Sequence, residues 1–133
     1  MSSLQRILQT AVLAAALLLI ALAAGPGPAN AGPVNWQEVP ENPAGRQWWD
    51  TGSLRLSRGG DLSVLTRFQP ASEEDRSQLY VMEIDCGQGL FRDTSVNGLP
   101  RFKPEWQPSG GDDLISAVLE EACAAGSELL ASR

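Results

Sequence analysis

The sequence predicts an α+β domain: an antiparallel meander of four to five strands, packed on one face by a single C-terminal helix and stapled by one disulfide. Three observations predict it. Residues 46–103 hold short apolar stretches, several alternating with period two, between Gly-rich or Asn-Gly turns; residues 112–126 repeat apolar side chains at helical spacing; and one cysteine falls in each region.

The leader comes first. Arg6 is the one charged side chain before Ala11, and Ala11 to Ala24 then runs fourteen residues without a polar group. A spanning helix wants about 20 apolar residues, so this run fits a signal peptide over residues 1–31 better than an uncleaved anchor. Gly25 to Pro28 breaks the run and Ala29-Asn30-Ala31 offers small residues for cleavage after Ala31. The mature chain would be Gly32 to Arg133, with no stable membrane insertion after cleavage.

The mature chain's balance excludes some partners. Without Arg6 it holds nine basic and sixteen acidic residues, a net of −7. Its arginines are scattered and Lys103 is its single lysine, so no basic stripe is available for nucleic acid. The expected partner is another exported or membrane protein. Exported compartments permit disulfides, and Cys86 is expected to bond Cys123. Closing that 37-residue loop removes denatured-state entropy worth about 4 kcal/mol. With no His and no close C-x-x-C spacing, neither a metal site nor another cofactor is expected.

The elements follow in order. Residues 32–45, with Pro33, Pro40 and Pro43, form an extended arm whose Trp36 can dock on the body of a single domain spanning 46–133. Arg46 to Trp49 begins the regular structure. Ser53 to Ser57 alternates as a half-buried strand, Arg58-Gly59-Gly60-Asp61 turns, and Leu62 to Gln69 returns with Leu62, Val64, Thr66 and Phe68 on one face. Pro70 to Gln78 is a solvated acidic loop. Leu79 to Cys86 puts Tyr80, Met82, Ile84 and Cys86 on the core face.

Phe91 to Val96 is a further strand, Asn97-Gly98 a hairpin turn, and Arg101 to Lys103 a short returning strand. Pro104 and Pro108 bracket Trp106 and forbid a regular central strand there. A cap at Ser109 or Asp112 opens a helix whose stripe is Leu114, Ile115, Val118, Leu119, Ala122 and Cys123. The disulfide therefore clamps helix to sheet. Gly126 ends the helix, leaving residues 127–133 as a frayed tail.

Trp48-Trp49-Asp50-Thr51-Gly52-Ser53-Leu54, the Gly59-Gly60 turn, Glu83-Ile84-Asp85-Cys86, Trp106 and the late Cys123 together resemble the surface-adhesin protein E-like family of small exported bacterial proteins. The resemblance covers residues 46–123. It implies a fold, and adhesion as the role attached to the family name. Departing from an adhesin, the chain lacks clustered basic residues for glycan or matrix binding. The leader, the acidic balance, Phe91-Arg92-Asp93-Thr94 and Phe102-Lys103-Pro104-Glu105-Trp106 also resemble small exported cyanobacterial proteins without assigned activity, which would place the chain in the periplasm or the thylakoid lumen.

Chemistry is restricted. Nucleophilic catalysis by a Ser-His or Cys-His pair is closed off without histidine. Glu83 and Asp85 share a strand face and could split their pKa values as an acid and a base, but the solvent side of a half-buried strand explains them as well. Asp112 and Asp113 suit the positive end of the helix. Trp48 and Trp49 must point to opposite faces of a strand, so one enters the core and the other is partly exposed. The exposed ring is either an interaction surface or part of a second minicore under Trp36 or Trp106.

The leading expectation is a non-enzymatic exported binding or accessory module, with Trp48, Trp49, Asp50 and Trp106 as its binding residues. Its rivals are an assembly or stabilising factor of a photosynthetic complex in the thylakoid lumen, and a carboxylate-dependent hydrolase.

Overall fold

A computed structural model describes residues 33–72 and 74–133; the expected signal peptide and its cleavage site lie outside the described residues. The strands are β1 (Trp36–Glu38), β2 (Gly45–Asp50), β3 (Arg55–Leu56), β4 (Leu62–Pro70), β5 (Gln78–Asp85), β6 (Leu90–Val96), β7 (Leu99–Pro100) and β8 (Gln107–Pro108), followed by α1 (Asp113–Ala125) and α2 (Ser127–Ala131). The sheet runs β1-β2-β4-β5-β6-β7, with β3 beside β4 and β8 beside β6. Each described pair is antiparallel. The expected meander under one main helix is therefore present, with eight strands among the described residues instead of four to five.

Period-two alternation sets the faces. Leu62, Val64 and Thr66 on β4, Met82 and Ile84 on β5, Phe91 on β6 and Trp49 on β2 are buried on the helix side. Leu114, Val118, Leu119 and Ala122 of α1 close the core over them. Asp112 caps α1 by accepting the Ile115 amide at 3.0 Å, which decides between the two candidate caps. Cys86 and Cys123 are bonded, with Cα atoms 5.9 Å apart, so the helix is fastened to the end of β5.

Several elements differ from the sequence expectation, each for a local reason. The arm is not merely extended: Trp36–Glu38 joins the sheet edge beside β2, and Val39 is a core residue at 1% exposure. The Ser53 to Ser57 strand shrinks to Arg55–Leu56, because Thr51–Ser53 is a 3-10 turn whose side-chain hydrogen bonds replace the ladder. The strand expected at Arg101 to Lys103 pairs instead at Leu99–Pro100. Asn97 (φ 50°) and Gly98 (φ 81°) make so tight a turn that pairing starts at once.

Gln107–Pro108 pairs with β6 beside Trp106, at the sheet edge where proline is tolerated. The tail is not frayed: α2 packs Leu129 and Leu130 against the core, and Arg133 donates to the Gly60 carbonyl at 2.7 Å.

Candidate functional site

Two regions of the sheet carry side chains beyond those the core needs. The first is the face away from α1. Trp48 lies there, since Trp49 takes the helix side at 2% exposure. Trp48 stands in register between Glu38 on β1 and Arg67 on β4. Arg46, two residues earlier on β2, shares its face. The guanidinium carbons of Arg46 and Arg67 lie 4.8 and 4.9 Å from the centre of the Trp48 ring. Arg46 also holds Glu38 by two bonds of 2.7 Å, and that hydrogen bonding keeps the Glu38 carboxyl below its ordinary pKa. Arg67 donates to the Ser77 hydroxyl at 2.9 Å. The indole is thus stacked against two cations.

Across the same face, Arg92 of β6 lies 4.3 Å from the centre of the Trp106 ring and donates to Glu83 at 2.7 Å. Trp48 and Trp106 therefore share a face but are separated by β4, β5 and β6. Glu83 and Asp85 project together as their spacing requires, and each has a local partner: Arg92 for Glu83, and the Gln88 amide and side chain for Asp85.

The other two expected binding residues are placed inside the fold. Trp49 donates its indole N–H to Glu121 of α1 at 3.2 Å. Asp50, at 6% exposure, accepts the amides of Asn35 at 2.9 Å and Gly52 at 3.0 Å. These contacts join the arm, the 3-10 turn and the helix to β2.

The second region lies on the helix side, where the sequence alone offered no assignment. A cavity of about 480 Å³ opens between the first turn of α1 and strands β2 to β6. Phe68, Met82 and Phe91 form its floor and Leu114 and Ile115 its helix wall; Asp93 reaches in from β6. Alternation from Phe91 turns Asp93 to this side, and a β-bulge follows it. Met82 opposes Asp93 while Val81 opposes Ser95, so Thr94 is the extra residue. The bulge lets Val96, not Ser95, face inward beside Tyr80. Asp93 Oδ1 is buried with no hydrogen-bond donor reaching it from the described residues.

Burial pushes the Asp93 carboxyl above its ordinary pKa, against a smaller opposing pull from Arg101. Burial, with the Asp93 charge second, likewise raises Tyr80, whose hydroxyl bonds Gln78. The available sequence signal was Asp93 two residues beyond Phe91, on the core-facing parity of a strand. No principle of alternation says where a bulge will fall.

These features define a disulfide-stapled sheet-and-helix protein with a decorated open face. Residues 37–129 match the surface adhesin-E family, and the chain belongs to it. Searches of curated proteins and of solved structures gave no match. Membership of a surface-protein family and a disulfide are together the marks of a surface-associated or extracellular protein. Among the described residues no helix is long and apolar enough to cross a membrane.

Proposed function

We propose that the protein is a non-enzymatic exported module that holds another exported or membrane protein against the helix-free face of its sheet, with Trp48 as the principal contact and Trp106 as a second. The observation that carries the reading is the presentation of Trp48: an indole outside the core, on a strand paired on both sides, with Arg46 and Arg67 stacked on it. Trp and Arg are the side chains most enriched among residues that dominate binding energy. Rigid flanking strands also reduce the entropy lost on association.

The place of work is the periplasm or, in a cell with thylakoids, their lumen, where the partner would be a membrane complex that the module helps to assemble or stabilise. The leader and the disulfide support export. No observation favours a hydrolase over this reading, because Glu83 and Asp85 are both engaged by neighbours.

Hydroxyl-radical footprinting of the mature protein with a partner purified from its own cells tests the proposal. Protection is expected on β2 and β4 around Trp48 and Arg67. Protection confined to α1 and α2 would refute it.

A further inference from the structure

We propose that the cavity under the first turn of α1 is a binding site for a small amine: a molecule with an apolar body and one ammonium group, which Asp93 accepts. This site lies on the opposite side of the sheet from Trp48 and does not depend on the role given to that face.

Size and lining define the body of the ligand. A volume of about 480 Å³ lies within the roughly 300–1,000 Å³ typical of small-molecule sites. Phe68, Met82 and Phe91 meet Leu114 and Ile115 across it, so one part of the lining is aromatic or aliphatic.

The polar lining defines the head group. Every charged residue lining the cavity is acidic: Asp93, Asp112 and Asp113. No lysine or arginine lines it, and Arg101, which lies close enough to influence Asp93, makes no hydrogen bond to its carboxylate. Asp112 is already committed to capping Ile115, and Asp113 compensates the positive end of α1, so neither the helix terminus nor its cap invites an anion. Asp93 is different. Its carboxylate lines the cavity and accepts no hydrogen bond from the described residues, whereas polar groups in native structures nearly always have a partner. An ammonium group in the cavity meets this carboxylate at its other oxygen, which is not buried, and brings the opposite charge, so the bond is of the charge-assisted kind.

The backbone shows how the arrangement is built. The bulge at Thr94 is fixed by two further contacts: the Thr94 hydroxyl donates to the Val81 carbonyl at 3.2 Å, and the Arg101 amide donates to the Thr94 carbonyl at 2.9 Å. Asp93 is thereby held against Met82 on a rigid central strand pair and not on a loop.

The test uses the disulfide-bonded mature protein and two probes of matched shape, 2-phenylethylamine and 3-phenylpropionate, titrated while recording amide NMR spectra. The amine is expected to shift the amides of Phe91, Asp93, Leu114 and Ile115 saturably, and to bind at least about tenfold more tightly than the carboxylate. Asp93→Asn, which is nearly isosteric, should lose about tenfold in amine affinity while keeping the wild-type spectrum elsewhere. Ile115→Trp, which fills the cavity from its partly exposed helix wall, should abolish binding. Equal affinity for the two probes, binding of neither, shifts confined to the Trp48 face, or undiminished affinity in Asp93→Asn would each overturn the assignment.

Discussion

The Ser53 hydroxyl accepts the amide of Leu65 at 2.9 Å, bridging a gap in the ladder that the backbone leaves open. β2 and β3 run along the same edge of β4, like one strand interrupted by the 3-10 turn at Thr51–Ser53. Leu65 lies between the two paired stretches, and without Ser53 its N–H would have no ladder partner. The same hydroxyl donates to the Asp50 carbonyl at 2.9 Å, while the Asp50 carboxylate caps the turn. The spacing Asp-x-x-Ser is thus a device for breaking a strand without orphaning its neighbour's backbone.

Asp50→Ala and Ser53→Ala are each expected to cost about 1–3 kcal/mol, since each strips a partner from a buried or partly buried amide. Because both act on one turn, their effects should not add. A double-mutant cycle by urea denaturation is expected to show a coupling of at least about 0.5 kcal/mol. Additivity within error would contradict this account of the turn.

The disulfide closes a loop spanning 37 positions and ties α1 to β5. Non-reducing peptide mapping should recover Cys86 joined to Cys123. Cys123→Ser should lower stability by about 2–5 kcal/mol. Quantitative alkylation of both thiols in protein taken directly from the exported fraction would refute the pairing.

Gly126 ends α1 where the chain passes over Leu62. A Cβ at this position would lie 2.7 and 2.9 Å from the two Leu62 methyls, and Leu62 is fully buried. Replacing a helical glycine by alanine usually gains up to about 1 kcal/mol. Here the sign should reverse, with Gly126→Ala costing about 1–3 kcal/mol through overpacking, as read from chemical denaturation. A stabilised variant would mean that Leu62 can move aside.

Asp93 gives a pH signature. Its carboxyl pKa is raised in the folded chain, so the folded state holds the proton more tightly than the unfolded state does. That contribution is fully present below the unfolded value of about 3.9 and is lost as the pH rises through the raised folded value. Asp93→Asn cannot ionise. Its stability relative to wild type should therefore be more favourable at pH 7 than at about pH 4, compared as urea midpoints at the two pH values. Asp61, also raised by burial, is present in both proteins and cancels in the difference. A relative stability that is flat or falling with pH would contradict the burial of Asp93.

The legibility of this fold in its sequence follows the strength of each local signal. β4 and β5 were plain because Leu62, Val64, Thr66 and Met82, Ile84 alternate over long strands, and α1 because Leu114, Val118 and Ala122 recur at helical spacing. The disulfide followed from having two cysteines in a chain read as exported. Short edge elements were not legible. Trp36–Glu38 and Gln107–Pro108 have too few residues for a period and depend on the longer strands they join. The division between Trp48 and Trp49 was foreseeable from strand geometry, but which ring enters the core depends on the β2-to-β4 register. The cavity was hidden because its lining comes from β2, β4, β5, β6 and the first turn of α1, whose meeting no local pattern states.

The most direct measurement compares Trp48→Ala and Trp49→Ala, each prepared as the mature protein, for thermal stability and for partner capture from the same exported fraction. Trp49→Ala empties a site at 2% exposure and removes the bond to Glu121, a loss of about 3–5 kcal/mol, so its melting temperature should fall by well over 10 °C. Trp48→Ala gives up two guanidinium contacts and should cost only about 1–2 kcal/mol. It should melt clearly above Trp49→Ala, about 4–16 °C below the wild type, and yet retain the partner at least about tenfold less well. Equal destabilisation of the two variants, or undiminished capture by Trp48→Ala, would contradict a binding surface on the helix-free face.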